Sequence, residues 1–508
     1  MRKFLFVLAL VVAVADVGVV GAVSTEFMRY DTCVVVYGGT GRCFQRATDY
    51  YKGLGYSGTL YDMEMAYLGG LGYTGGVNDR WRAYLGNQGY TGTLGDRFRA
   101  ARTAGTQGIF GLTFWAEFLD PANPLVLRKG TGTLSFTRAT TATYVHPTTG
   151  LVTTAASGNL RIEANGALIE GQRTNLQTYS EDFSNALYNY NLTRIETNVD
   201  IAPDGTITAD RLIPTAAAGT HTPQIVLTVA DNTIYTYSVF LKKGVGTYST
   251  WSTIQLRDKA ATNRDVFINL STGALGTISA GITGAVVSYD NGWYRLSASM
   301  DMSSGVSQPY CFIYVAEADN DYSYTGDNTS YISIWGAQLE VGASPSSYIP
   351  TVAAAVTRNA SVLTEQTASN IDNVDGTIAL QWTPEYAYTD NGAFTATLFD
   401  AGGIRATYTS TDRKINLTDG TNTVSSAALT FTKGSTMKLA FRWGPSGLLV
   451  YKDGTEAATG ATYTAGTINA NLYIGSNVSS ANHSYSNIKP LRALNREFSA
   501  AEMGSITQ

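Results

Sequence analysis

The chain has 508 residues and a formal net charge of -5, and only 15% of its residues are charged, against roughly a quarter in ordinary globular proteins. That length calls for several separately cored units, and a weak negative charge with no long basic run excludes a face for nucleic-acid phosphates. The three cysteines and three histidines have no zinc-type spacing, which excludes a structural zinc site.

Residues 1–27 form a hydrophobic N-terminal segment: Arg2 and Lys3, an apolar run, then small Ala13 and Ala15 before Asp16. This is the pattern of a secretory signal. A membrane span needs about 20 apolar residues, and Asp16 with Gly18 and Gly21 interrupts it, so membrane contact is expected only if the segment is retained. The third reading is a mis-assigned start, with synthesis beginning at Met28. Cys33 and Cys43 either close a small loop in an oxidising compartment or stay reduced.

Residues 28–105 are expected to be helical and to contain one unit used three times. Gly55-Tyr56-Ser57-Gly58, Gly72-Tyr73-Thr74-Gly75 and Gly89-Tyr90-Thr91-Gly92 recur every 17 residues, each followed in phase by an acid (Asp62, Asp79, Asp96) and an alanine (Ala66, Ala83, Ala100). Glycine supplies the turn and the aspartate favours a following helix N-terminus. Short turn-helix units cannot bury their apolar faces alone, so they are expected to stack in an assembly.

Residues 106–175 read as a connecting β-rich segment. Residues 176–350 read as a sandwich, from short β-branched or aromatic runs at 235–241, 251–256, 266–270, 293–298, 310–315 and 332–339, each bounded by turn residues. Residues 351–370, rich in Ala, Thr and Ser and preceded by Pro345 and Pro350, read as a linker. Residues 371–508 read as a second sandwich, with hairpin turns at Asp419-Gly420 and Asp453-Gly454. The expected fold is mainly β: two tandem antiparallel, jelly-roll-like β-sandwich domains after a small α-helical repeat region. Trp293, Trp335, Trp382, Trp443 and Cys311 are assigned to cores.

The stretch Phe136-Thr137-Arg138-Ala139-Thr140, the run Glu170-Gly171-Gln172-Arg173-Thr174-Asn175-Leu176 and the pair Asp182-Phe183 resemble a segment widespread in phage and prophage structural proteins. Gly292-Trp293-Tyr294-Arg295 and Gly336-Ala337-Gln338-Leu339-Glu340 extend the resemblance to the carbohydrate-binding-like sandwich of those proteins, over about residues 131–360. The C-terminal unit, with Tyr451-Lys452-Asp453-Gly454, resembles the laminin-G-like or concanavalin-like jelly roll. The resemblance implies a tail-fibre or head-fibre type component of a virion, docked on other virion proteins through its N-terminal region, homo-oligomeric and adhering to surface glycans. Cytoplasmic assembly of virions favours the Met28 start; a secreted protein is the alternative location.

Pyranose rings stack on aromatic faces while their hydroxyls need polar partners. Tyr248 and Trp251, beside a polar turn, and Tyr322 and Tyr324, in the polar loop 319–328, are the glycan-contact candidates. Asp319, Asn320, Asp321 and Asp327 offer oxygen ligands of the kind calcium takes, with a solvated loop as the plainer reading; no other cofactor is expected. Glycosidases need paired carboxylates. Glu317 with Asp319, or Glu340, are candidates that sequence cannot place opposite one another. With no nucleophile elbow, zincin helix or Walker loop, the chain reads as a non-enzyme. A polysaccharide-degrading enzyme and a ligand-free virion decoration protein are the alternatives.

Overall fold

A computed structural model describes residues 112–507 apart from 117, 119–124, 126, 130, 131, 391 and 461. The N-terminal segment, the Cys33 and Cys43 pair and the three repeats lie outside the described residues. What is described is mainly β, built from antiparallel sheets, with one α-helix at Ala500–Ile506.

The inner body is a sandwich of two six-stranded sheets. One runs in the order Thr193–Asp200, Ala209–Pro214, Ile332–Val341, Thr233–Lys243, Trp293–Met302, Thr283–Ser288; the other runs Leu275–Ile278, Asn263–Asn269, Trp251–Arg257, Tyr310–Ala316, Thr222–Val226, Asn189–Asn191. Strand alternation decides the core. Tyr235, Tyr237, Val239 and Leu241 face Ile254, Leu256, Cys311, Ile313 and Val315 in one buried cluster. The first sheet is also covered on its other side. There Phe240, Trp293 and Trp335 form a second cluster with Tyr348 and with Val152 of the hairpin Ala142–Val145/Val152–Ala155. That double burial explains why residues 235–241 are buried on both faces, with Thr236, Ser238 and Phe240 on the second.

The outer body closes around this one. Its nine-stranded sheet centres on Gly376–Pro384, which pairs with Met437–Trp443 on one side and Ser486–Leu494 on the other. Its seven-stranded sheet includes Thr395–Gly402, Arg405–Thr409 and Ile468–Ile474. The two meet through contacts such as Phe399 with Phe441 (5.3 Å) and Trp382 with Tyr408 (5.4 Å). All four tryptophans assigned to cores are buried, at 2% exposure or less, and Cys311 is 1% exposed.

The two sandwiches are nested rather than tandem. Leu112–Ala116 and Gly166–Ile169 pair with Ser486–Leu494 in the nine-stranded sheet, and Ser135–Thr137 pairs with Val362–Gln366 in the seven-stranded one. The segment read as a connector thus supplies strands to the C-terminal sandwich. Residues 351–370, read as a linker, contain Val356–Arg358 and Val362–Gln366. Polar composition suggested a linker, but Leu363 and Glu365 alternate inward as a strand requires. Arg173–Asn175 pairs with Val356–Arg358, so the chain enters and leaves the inner sandwich on one two-stranded stem.

The resemblance-bearing residues build this joint. Asn175 donates from Nδ2 to the carbonyls of Ala337 (3.1 Å) and Ile349 (2.8 Å), and its Oδ1 accepts from the amides of Gln177 and Leu339, both at 3.0 Å. The buried Glu170 carboxylate meets Arg161 at 2.7 Å and Arg358 at 3.0 Å, and accepts from Ser347 N at 2.8 Å. The two guanidiniums hold its pKa well below the usual carboxylate range against the opposing effect of burial.

The hairpin turns are resolved by backbone sign. Lys452 pairs with Thr455 around Asp453 (φ 47°) and Gly454 (φ 82°), the two left-handed residues a two-residue hairpin needs. At Asp419-Gly420 the loop is wider, and the Asp419 carboxylate accepts from Thr421 N (2.9 Å) and Thr464 N (2.7 Å).

Candidate functional site

One sheet of the inner sandwich has an outer face that is only partly covered among the described residues, and strand alternation decides what it displays. With Ile254, Leu256, Val266, Ile268, Cys311, Ile313 and Val315 turned into the core, the opposite phase turns out Trp251, Thr253, Gln255 and Arg257. From the neighbouring strands it turns out Asp265 and Phe267, and Tyr310, Phe312 and Tyr314. Register sets them in rows: Tyr310 opposite Arg257, Phe312 opposite Gln255 and Asp265, Tyr314 opposite Thr253 and Phe267.

The aromatic rings form a continuous ribbon across this face. Tyr310 and Phe312 lie 5.7 Å apart, and Phe312 stacks with Tyr314 at 5.8 Å and an interplanar angle of 14°. Tyr322 folds in from the following loop and stacks on Tyr314 at 4.2 Å and beside Phe267 at 6.0 Å. Tyr310, Phe312 and Tyr322 are half-buried and keep some surface open to solvent, whereas Phe267, Gln255 and Tyr314 are buried, at 0%, 2% and 6% exposure.

Polar groups border the ribbon in fixed positions. Gln255 Nε2 donates to Asp265 Oδ1 (2.8 Å) and Tyr322 Oη (3.1 Å), while Tyr314 Oη donates to Gln255 Oε1 (3.3 Å). This reciprocal set fixes the amide orientation. Burial raises the Asp265 carboxyl, with the Gln255 hydrogen bond opposing, and burial followed by the Asp265 charge raises the Tyr322 phenol. The Arg257 guanidinium lies 5.9 Å from the Tyr310 ring centroid, and its Nε is buried with no hydrogen-bond partner. Flat apolar surface beside an amide, a carboxyl and an orphan donor is what a pyranose ring and its hydroxyls require.

The structure divides the four sequence candidates. Tyr322 is part of the ribbon, and Trp251 lies on the same face, one outward position beyond Thr253. Tyr324 is 6% exposed and donates to the carbonyl of Val315 (3.1 Å). Its ring packs between Tyr248 (4.3 Å) and His221 (4.5 Å), and Tyr248 lies against the inner core. These two are packing residues, because the loop 319–328 folds back over the sheet edge. Tyr310, Phe312, Tyr314, Phe267, Gln255, Asp265 and Arg257 were missed. Their signal was present: alternate positions 310, 312 and 314 are all aromatic, more than one core face needs.

The candidate acids have local partners. Asp319 accepts from the Thr277 amide (2.7 Å), Asp321 from Ser323 N (3.2 Å) and Asp327 from Thr329 N (2.9 Å) and Ser330 N (2.7 Å). Among the described residues no group of three or more His, Cys, Asp or Glu side chains is arranged to hold a metal ion. Glu340, 0% exposed, accepts from Ser346 and faces Arg173 at 3.5 Å, far from Glu317 in role and setting.

No family model and no curated protein matches the chain. Among solved structures it is similar to a Trypanosoma rangeli sialidase bound to 2,3-difluorosialic acid (11% identity, 52% of each chain, TM-score 0.24). It is also similar to domains LG4-5 of the mouse laminin alpha1 chain (11% identity, 56% of this chain and 89% of that one, TM-score 0.19). A third is the tandem CBM22 domain of Paenibacillus barcinonensis Xyn10C (11% identity, 65% and 98%, TM-score 0.22). The chain spans about half the length of the sialidase it matches. At these scores the likenesses carry no argument about function.

Proposed function

We propose that this chain is an adhesion component of a bacteriophage particle that holds surface glycans on the exposed ribbon of its inner sandwich. The observation that carries the binding reading is the half-buried trio Tyr310, Phe312 and Tyr322, backed by the buried rings of Tyr314 and Phe267 and edged by Asp265 and Arg257. The particle setting is supported by the resemblance of residues 131–360 to phage structural proteins. Docking on other virion proteins through residues 28–105 and homo-oligomer formation belong to the same proposal.

Adhesion through such a face needs no covalent chemistry. A single ring stacked on one aromatic binds weakly, and repeated copies on one particle raise avidity by about two to four powers of ten.

The test is affinity electrophoresis of the full chain through gels containing purified capsular or lipopolysaccharide-derived glycans, with Phe312→Ala and Tyr310→Ala as the variants. Retardation of the parent chain that both variants lose is expected. Unretarded migration of the parent across the glycan set would overturn adhesion and leave the ligand-free decoration protein. Mass spectrometry of purified particles tests the virion setting separately: absence of the chain from particles, with secretion from near Asp16, would replace it with a secreted glycan-binding protein.

A further inference from the structure

A cleft of about 390 Å³ lies where the hairpin Ala142–Val145/Val152–Ala155 and the joint sheet of the inner sandwich meet the outer sandwich. Tyr144, Glu163, Tyr289, Glu385 and Lys433 are among its lining residues. The ribbon lies on the opposite sheet of the inner sandwich, so adhesion uses none of them.

Two carboxyl groups in this cleft share one amide. Asn487 Nδ2 donates to Glu163 Oε2 at 3.2 Å and to Glu385 Oε1 at 2.9 Å. Asn487 is 1% exposed on Ser486–Leu494, so the bridge is set by the sheet itself. Glu163 Oε1 accepts from Val145 N at 2.9 Å, and Glu385 Oε2 lies 3.4 Å from Lys433 Nζ. The pair is therefore unequal: Glu385 has a cation in contact, whereas Glu163 has backbone and amide donors only. Burial, then the Glu385 charge, pushes the Glu163 carboxyl up to about 7. A carboxyl raised toward neutrality in this way can hold a proton and give it to a leaving group.

We propose that the cleft is a hydrolytic carbohydrate site, with Glu163 as general acid and Glu385 as nucleophile in the cleavage of a glycosidic bond. The substrate class, a surface polysaccharide, rests on the adhesion reading above; the residues do not. The two oxygens that share the Asn487 nitrogen lie 3.2 and 2.9 Å from it, so they are closer together than the roughly 6.5–9.5 Å between carboxyls that leaves room for water. The reaction is a double displacement. A Glu385 oxygen bonds to the anomeric carbon as the glycosidic C–O bond breaks, and the leaving oxygen takes the Glu163 proton. Water then bonds to the anomeric carbon, gives its proton to Glu163 and releases Glu385. Tyr144 and Tyr289 add aromatic surface to the cleft lining, and Asn487 is a positioning residue.

The test uses the full chain with 4-nitrophenyl hexosides, N-acetylhexosaminides, deoxyhexosides, uronides and sialosides. Nitrophenol release by the parent on at least one of them is expected, falling roughly 10²–10⁴-fold in Glu163→Gln. The deficit of that variant shrinks on the 2,4-dinitrophenyl glycoside, whose leaving group needs no proton. Glu385→Gly is inactive and recovers with azide, yielding a glycosyl azide, a result that a structural role for Glu385 does not produce. No release by the parent across the panel overturns the proposal, as does Glu163→Gln turnover equal to the parent. The two readings fail separately: gel retardation without hydrolysis removes this site alone, and hydrolysis without retardation removes adhesion alone.

Discussion

Glu170→Gln is the substitution that most directly probes how the nested sandwiches are joined. The carboxylate is 3% exposed, and the two guanidiniums against it, Arg161 and Arg358, are 0% and 1% exposed. Arg161 belongs to the segment before the stem, Arg358 to the returning strand, and Ser347, which donates to the carboxylate at 2.7 Å, to the end of the inner sandwich. Glutamine preserves shape and one acceptor but removes the only negative charge facing both cations. Leaving one side of a buried ion pair uncompensated costs about 3–5 kcal/mol, a large share of the 5–15 kcal/mol that typically separates folded from unfolded chains. The assay is urea unfolding followed by tryptophan fluorescence, urea being uncharged and leaving ion pairs unscreened. Glu196→Gln is the control: its partner Arg194 sits 2.7 Å away, but both side chains are at least 40% exposed, and a loss below about 1 kcal/mol is expected. Replacing Arg161, Glu170 and Arg358 together by Met, Leu and Met should recover much of the stability, since no charge is then stranded. A Glu170→Gln loss no larger than that of Glu196→Gln would refute the reasoning.

Other outcomes follow from the same geometry. Tyr324→Ala should destabilise by about 3–5 kcal/mol, as expected for loss of a large buried side chain, whereas Tyr310→Ala on the exposed ribbon should stay within about 0.5 kcal/mol; equal losses in thermal melts would contradict the division made between them. Gly376→Ala places a methyl 2.2 Å from the Trp443 ring, which is 0% exposed and held by a 2.9 Å bond from Nε1 to Asp372 O. A loss of about 1–3 kcal/mol is expected from the overpacking, and an unchanged urea midpoint would show that the ring can move. Stability should peak near pH 5. Burial raises Glu163 and Glu365 to about 7, so the folded chain holds protons the unfolded chain has lost, and stability falls as pH rises from about 4.5 to 7, by about 1.4 kcal/mol per unit for one group. Below 4.5 the sign reverses, because the lowered pKa of Glu170 gives stability present above the unfolded value and lost as pH falls. His483, lowered to about 4 by burial, contributes stability that is lost as pH falls from about 6.5 to 4, so it offsets the slope of one raised carboxyl and makes the decline above pH 5 shallower. Melting temperatures that climb steadily from pH 5 to 8 would count against these assignments.

What could be read in the sequence, and what could not, separates along the range of the interactions. Short β-branched or aromatic runs bounded by turn residues located Thr233–Lys243, Trp251–Arg257, Trp293–Met302, Tyr310–Ala316 and Ile332–Val341 to within a few residues, because strand composition and turn chemistry are written into the local sequence. Asp453-Gly454 was legible for the same local reason. The nesting was not, since pairing between Ser135–Thr137 and Val362–Gln366, or a stem of three residues a side, leaves no mark in either segment alone. The ribbon was half legible. Tyr322 stood out as an aromatic in a polar loop, whereas Tyr310, Phe312 and Tyr314 were absorbed into an apolar run whose two faces have different partners. Glu163 and Glu385 carried no signal at all, because only Asn487, contributed by a third strand, brings their carboxyls together.

The joint is held by polar contacts between segments far apart in the sequence. Arg161 and Ser347 are 186 residues apart in sequence and 2.8 Å apart in the fold, and Asn175 reaches Ile349 across 174 residues. Each polar residue of the run Glu170 to Asn175 that the structure explains acts within the chain: Glu170 binds two arginines, Arg173 faces Glu340, Thr174 meets Thr357 at 2.8 Å, and Asn175 fills all its hydrogen-bonding positions. A buried polar network tolerates little change, since a half-satisfied one is worse than none. Residues on the exposed face are under no such constraint from folding. A chain built this way can change Tyr310, Phe312 and Tyr322 while the stem, the arginines and Asn175 keep the sandwich that presents them in place.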